Sequence, residues 1–160
     1  MKKTTNLVWG GRFEYDSSDI LKRINNSISF DYNLAHQDIK LNKQYAKSLF
    51  KAKILSENEL KKINVALDDI YLEIKKKKFK FSDDFEDIHM NIEMALRKRV
   101  GRLAGKLHTG KSRNDQVATD VKLWTKEKIK NVIDKLKKIQ KTIIKKSESN
   151  LNVIMPGFTH

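Results

Sequence analysis

Apolar residues along this chain recur at three- and four-residue intervals, which is the period of an α-helix rather than a strand. Ile20, Leu21, Ile24 and Ile28 open the pattern, which reaches Phe30 and Asp31, and Ser27 falls where a helix-end cap would stand. From Asp31 to about Leu55, Leu34, Leu41, Tyr45, Leu49 and Ala52 lie largely on one stripe and predict a helix with one buried face. Ser56-Glu57-Asn58-Glu59 reads as a capping box. Leu60, Ile63, Leu67, Ile70 and Ile74 then keep the helical spacing, so a second helix should pack antiparallel to the first. Lys75 to Lys78 closes it, where cations suit the negative end of the helix dipole. Ile88, Ile92, Leu96 and Val100 predict a third helix beginning near Glu86.

The longest periodic run begins after Asn114 and continues to about Ser149. Val121, Ile129, Val132, Ile133, Leu136, Ile139, Ile143 and Ile144 share one broad face, and Lys122, Lys126, Lys130, Lys137, Lys141 and Lys145 take the other. Such a helix would be on the order of 50 Å long. Alone in water it would not be stable, so it needs partner helices from this chain or from other copies. The fold class this spacing predicts is all-α.

One stretch breaks the pattern. Ala104 to Trp124 reads AGKLHTGKSRNDQVATDVKLW and gathers small, polar and charged residues ahead of the long helix. Gly105 and Gly110 let backbone turn and approach a ligand, and Thr109, Ser112, Arg113 and Asn114 supply hydroxyls, a guanidinium fork and an amide. A polar loop feeding a helix N-terminus suits an anion. Gly105 to Ser112 also fits the phosphate-cradling pattern G-x-x-x-x-G-K-[ST]. That mechanism needs a buried strand before the loop, whereas Leu96 to Leu103 is basic and helix-like. No later apolar strand ends in an acid to hold magnesium. The match reads as accidental.

Composition narrows the classes. A chain of 160 residues is long enough for a real core, and without cysteine it builds neither disulfides nor thiolate metal sites, which fits a cytoplasmic location. No apolar run has the length of a signal peptide core or a membrane span, so neither export nor a membrane is expected. The net charge of +14, from 34 Lys and Arg against 20 Asp and Glu, points by itself toward nucleic acid. Yet 28 of the cations are Lys and only 6 Arg, dispersed over helix faces without interleaved aromatics, which describes a solvated surface better than a nucleic-acid groove. His89 and Glu93 lie four apart on one helix face. That spacing usually means a salt bridge or cap, and a metal site would need further ligands, so no metal is expected.

Leu107 to Asp120, followed by Leu123-Trp124, closely resembles the first signature block of argininosuccinate lyases, within the wider group of fumarases and aspartases. Trp9-Gly10-Gly11-Arg12-Phe13 is similar to that family's N-terminal run, and Glu86-Asp87-Ile88-His89 to a block near its active site. Met155 to His160 resembles the start of its second signature block, with Phe158 in place of the usual Tyr; Lys111 also departs from the family, which usually carries Arg there.

The resemblance implies cleavage of argininosuccinate to arginine and fumarate by acid/base β-elimination, without a cofactor, in arginine biosynthesis. It implies Ser27, Arg113, Asn114 and Thr159 as substrate-binding residues and His160 as a catalytic one, with Asp87, His89 and Ser112 in support. It further implies residues 1–110 as an N-terminal helical domain, residues 111–160 as the start of a central helical bundle, and a homotetramer. The family's third block, with the catalytic serine, is absent from these residues, so the expectation is a fragment that is inactive alone. Two readings from other classes stay open: a basic helical nucleic-acid-binding module, which salt-dependent retention on nucleic acid would favour, and a P-loop nucleotide hydrolase, which nucleotide-dependent thermal stabilisation would favour.

Overall fold

The computed structural model describes residues 19–154, 156, 157 and 159, and among them all regular structure is helical, as the apolar spacing predicts. The elements are α1 (Asp19–Asn25), α2 (Ile28–Asp31) running into a 3-10 turn (Tyr32–Leu34), α3 (Ala35–Lys51), α4 (Glu57–Lys75), α5 (Ile88–Val100), α6 (Leu103–Lys106) and α7 (Arg113–Glu148). They fall into two compact units, one ending at Asp120 and one beginning at Val121.

In the first unit α3 and α4 pack side by side, and α5 lies against both. The His36 ring sits 5.2 Å from that of Tyr71, and Lys43 bridges Asp68 at 2.6 Å. Residue number therefore rises along α3 as it falls along α4, which makes the pair antiparallel. Ile63, Leu67 and Ile70 of α4 and Ile88, Ile92 and Leu96 of α5 are buried, on the stripes their spacing predicts. The stripe on α3 differs from expectation. Its buried residues are Ala35, Gln37, Asp38, Ile39, Asn42, Ala46 and Leu49, while Leu34, Leu41 and Tyr45 are half-buried and Ala52 is exposed. The helix is turned so that Asp38 and Asn42 face inward, because hydrogen-bond partners on other elements meet them there.

The helical run that begins near Ile20 is interrupted at Asn26-Ser27, the position of the expected helix end. The Asn26 side chain donates to the Asp83 carbonyl at 2.9 Å and accepts from the Ile28 N–H at 3.1 Å, and the Ser27 N–H donates to the Glu86 carbonyl at 2.8 Å. These bonds turn the chain and pin it to the segment before α5.

Helix ends follow local chemistry. Ser56 and Glu59 form the capping box, with the Glu59 N–H on the Ser56 hydroxyl at 3.2 Å and the Ser56 N–H on the Glu59 carboxylate at 2.9 Å. Both α3 and α4 end in Schellman motifs: Ile54 N–H to Leu49 carbonyl at 2.9 Å with Lys53 N–H to Phe50 carbonyl, and Lys78 N–H to Glu73 carbonyl at 2.8 Å with Lys77 N–H to Ile74 carbonyl. The left-handed residue in each is a lysine, at φ 60 for Lys53 and φ 56 for Lys77, where glycine is the usual occupant.

The second unit holds α7 from Val121 onward and the residues after it. The whole of α7 is 36 residues, about 54 Å at the standard rise. Its eight apolar positions from Val121 to Ile144 are between 44% and 62% exposed. Trp124 is half-buried, with the Lys128 ammonium 5.1 Å from its ring centroid. Among the described residues no helix is long and apolar enough to cross a membrane.

The two lysine-terminated helices offer a direct test of these ends. A left-handed non-glycine residue costs about 1–2 kcal/mol, against which glycine costs about 0.5–1 kcal/mol of extra chain entropy. Lys53→Gly and Lys77→Gly should therefore each stabilise the first unit by about 0.5–1 kcal/mol. Urea unfolding of each variant against the parent checks this, and a loss of stability in both would contradict the assigned helix ends.

Candidate functional site

Three short segments meet at the start of α5. Asp87 caps the helix, its carboxylate accepting the Met90 N–H at 2.6 Å. Asp31, buried, accepts the Ile88 N–H with both oxygens at 3.2 and 3.3 Å, and the Ser27 hydroxyl at 2.6 Å. Ser27 is thus fixed beside the first turn of α5, and its hydroxyl points to Asp31 instead of capping α2.

The first turn of α7 is built in a similar way. The Ser112 hydroxyl accepts the Asn114 N–H at 3.2 Å, while the Asp115 carboxylate accepts the Ser112 N–H at 3.3 Å. Two of the otherwise unpaired donors at this helix start are satisfied reciprocally. Asn114 is exposed and Arg113 half-buried. The Arg113 guanidinium lies 3.6 Å from Asp87 and 3.4 Å from Glu93, and donates to the Gln116 side chain at 3.0 Å. Arg113 therefore joins the starts of α5 and α7.

Beneath this surface lies a buried polar cluster. Asp38 and Asp120 are each 0% exposed and His89 is 2% exposed. His89 Nδ1 stands 2.8 Å from Asp38 Oδ1 and 3.5 Å from Asp120 Oδ2. The Gln116 amide also donates to Asp38 Oδ1, and the Asn42 amide to Asp38 Oδ2 at 2.9 Å. Burial alone would raise the Asp38 carboxyl, but His89, by hydrogen bond and charge, together with Gln116 and Asp120, outweighs it and holds the group below its ordinary value. Asp120 behaves in the opposite way. Burial first, then the charge and hydrogen bond of Asp38, push it up to about 8 against the pull of Lys111. No N–H or hydroxyl group donates to either Asp120 oxygen.

The loop between α6 and α7 is tied to α3. Lys111 donates to the Asn42 side-chain carbonyl at 2.8 Å and lies 5.4 Å from the Tyr45 ring centroid, while the Tyr45 hydroxyl donates to the Thr109 carbonyl at 2.7 Å. Burial, aided by Arg113, lowers the Lys111 ammonium below its ordinary value despite Asp38, Glu93 and Asp120 nearby. Gly110, at φ 68, makes the turn that brings Lys111 inward. A cavity of about 20 Å³ lined in part by Asn42, His89, Glu93, His108, Lys111 and Gln116 adjoins the cluster. It has room for a single water molecule.

Of the expected site residues, Ser27, Asp87, Ser112, Arg113 and Asn114 frame the two helix starts, and His89 lies directly beneath them. Thr159, exposed and without regular structure, belongs to the second unit. His160 and the Trp9 to Phe13 run lie outside the described residues. One expectation needs correction, and one reading is upheld. His89 pairs with Asp38 and Asp120, and it is Arg113 and His108 that approach Glu93, at 3.4 and 3.8 Å. The glycine-lysine pattern from Gly105 to Ser112 is preceded by α5 and α6, with no strand among the described residues, so no phosphate-binding loop exists there. Asp38, Asn42, Gln116 and Asp120 escape the sequence reading. Their signal is present as two polar pairs four residues apart, each within an amphipathic helix.

Asp38, His89 and Asp120 each bring one potential ligand atom within 4.8 Å of the others. They do not form a good cation site. The Asp38 oxygens already accept from Gln116, Asn42 and His89, and His89 Nδ1 must carry the hydrogen it directs at that carboxylate. The cluster is a hydrogen-bonded brace.

A family model described as Lyase matches residues 11–160. The chain is 49% identical over 156 residues to the argininosuccinate lyase of Ehrlichia ruminantium, covering 98% of this chain and 34% of that protein. It is 52% identical over 155 residues to that of Ehrlichia canis, and 42% identical over 153 residues to that of Bacillus cereus, covering 97% and 96% of this chain and 33% of each relative. The chain thus spans about a third of the length of the curated relatives it matches.

Asp38→Ala removes the acceptor for three buried donors, His89, Gln116 and Asn42. Breaking a buried charged network in this way should cost about 3–5 kcal/mol, whereas Glu93→Ala at the half-exposed rim should cost less than about 1 kcal/mol. Denaturant unfolding of both variants reads the difference, and equal losses would show that the cluster is not a brace.

Proposed function

The chain belongs to the lyase family, and from that premise we propose that it supplies substrate-binding elements of an enzyme that cleaves argininosuccinate to arginine and fumarate. The observation that supports this most directly is the meeting of two helix starts at Arg113. The Asn114 amide is exposed on one of them, and the Ser27 hydroxyl and capped Asp87 are fixed beside the other. Helix N-termini and a guanidinium suit a ligand that carries carboxylates.

In the proposed reaction a proton leaves the carbon beside a carboxylate, the bond to the guanidinium nitrogen breaks, and the electron pair forms the double bond of fumarate. Negative charge builds on that carboxylate in the transition state. Donors held in place before the reaction stabilise it most, because they need no reorganisation as the charge develops. Asn114, Arg113, Ser27 and Thr159 are the donors we assign to the substrate, Ser27 by turning its hydroxyl away from Asp31. His160 is assigned to one proton transfer, since imidazole exchanges protons near neutral pH. The second group is a serine in the block the resemblance places outside these residues. The scheme is acid-base throughout and calls for no cofactor.

The same reading includes a homotetramer, joined through α7, and a cytoplasmic enzyme. The apolar face of α7 supports the former, with Leu136 and Ile139 more than half exposed. The absence of cysteine is in keeping with the latter.

The test is steady-state formation of fumarate from argininosuccinate, followed by its ultraviolet absorbance, with the product of the complete coding sequence and with the 160-residue chain alone. The complete protein should turn over and the chain alone should not. Asn114→Ala and Thr159→Ala in the complete protein should each lower kcat by about 10²-fold or more while leaving the melting temperature nearly unchanged. Lys111→Ala should be only moderately affected, because Lys111 binds Asn42 rather than an anion. Near-normal rates in well-folded Asn114→Ala and Thr159→Ala would remove those residues from the site.

A further inference from the structure

The buried cluster contains one acid too many for its donors. Asp38 and Asp120 lie together with no exposure to solvent, and as anions they would repel each other in a medium that screens poorly. The donors are divided unequally. Asp38 receives Gln116, Asn42 and, at 2.8 Å, His89 Nδ1. Asp120 has the longer 3.5 Å approach of that same Nδ1 and lies with an oxygen within 4.8 Å of Asp38, and no N–H or hydroxyl group donates to either of its oxygens. A buried carboxylate with no donor is among the least stable arrangements a protein core can hold.

The charged groups facing Asp120 come from three elements: Asp38 from α3, His89 from α5, and Lys111 from the loop before α7. Lys111 attracts a negative charge there, but its ammonium is bonded to Asn42. On α7 itself, Arg113 is engaged by Asp87, Glu93 and Gln116. At the rim, His108 stands 3.8 Å from Glu93. None of these groups donates a hydrogen bond to Asp120.

We propose that Asp120 is a positioning residue that keeps its proton at neutral pH and donates it to Asp38, so that one shared proton clasps the first turns of α7 to α3. The proton converts Asp120 from an unpartnered acceptor into the donor its neighbour can use. It also removes the repulsion between the two acids. Gln116, one turn earlier on α7, binds the same Asp38, so the two residues grip one carboxylate four positions apart. Between them they fix the helix start that carries Arg113 and Asn114. The clasp stands on the cluster geometry alone; only its value for catalysis rests on the lyase reading.

The sign of its pH dependence follows from the direction of the shift. Burial and the neighbouring Asp38 raise Asp120 from 3.8 to about 8 in the folded chain. Between those values the folded state holds a proton that the unfolded state releases. The contribution is complete below the unfolded value and is lost as pH rises through about 8.

The test uses the 160-residue chain in two independent measurements. Urea unfolding is followed from about pH 5 to about pH 9 for the parent, Asp120→Asn and Asp120→Ala, a range that brackets the loss of one proton. Relative to Asp120→Asn, the parent's unfolding constant should rise by up to about tenfold per pH unit as pH approaches 8, the effect of one proton. Asp120→Asn should match or exceed the parent at neutral pH, because its amide still donates to Asp38, whereas Asp120→Ala, with no donor, should be weaker throughout. Infrared spectra of the parent should show a protonated carboxyl band at neutral pH that fades on titration through about 8. If the parent lacks that band, or if Asp120→Asn unfolds with the parent's pH slope, the shared proton does not exist. Both readouts are blind to turnover, so a missing lyase activity would change neither result.

Discussion

A carboxylate at the centre of a helical core is tolerated only while donors surround it, and Asp38 obtains its donors from three different helices. Asn42 comes from the next turn of α3, His89 from α5 and Gln116 from α7. The only residues of α7 that are buried are Gln116 and Asp120, both polar and both in this cluster. The start of the long helix is therefore held by directional bonds to one charge rather than by apolar contact. Directional bonds fix rotation and register as well as distance, which is what a helix start presenting Arg113 and Asn114 requires.

The first unit divides its labour accordingly. Ile63, Leu67, Ile70, Ile88, Ile92 and Leu96 are all but inaccessible and form the apolar mass that holds α4 and α5. The polar cluster shares the buried stripe of α3 with Ala35, Ile39, Ala46 and Leu49, and its directional bonds reach the first turns of α7. Ser27 and Arg113 are likewise placed by bonds to acids, Asp31 and Asp87, that are themselves fixed by the first turn of α5.

How much of this is legible in the sequence depends on whether its cause is local. The stripes of α4 and α5 follow from spacing, and the Ser56 cap from four consecutive residues, so both can be read directly. The bounds of α7 are also plain, because a long period leaves little ambiguity. The face of α3 is misjudged from sequence because Leu34, Leu41 and Tyr45 are the more apolar choice. The helix is turned by partners of Asp38 that lie 51 and 78 residues away, and no local pattern reports them. The helix end near Ser27 is legible, but the carbonyls of Asp83 and Glu86 that fix it are not. Arg113 and Asn114 are given a role by the resemblance, whereas Gln116 and Asp120, inside the same block, are not, because they look like the solvent side of an amphipathic helix.

The bond from Lys111 to Asn42 ties the history of the loop to that of α3. A lysine ends in a compact ammonium with three donors, one of which the Asn42 carbonyl takes, while an arginine presents a wider planar fork with five. Exchanging Lys111 for arginine alone would leave part of that fork unsatisfied beside Asn42. Exchanging Asn42 alone would strand a half-buried ammonium. The two positions, 69 residues apart, are thus coupled by this bond, and a change at either one alone breaks or reshapes it.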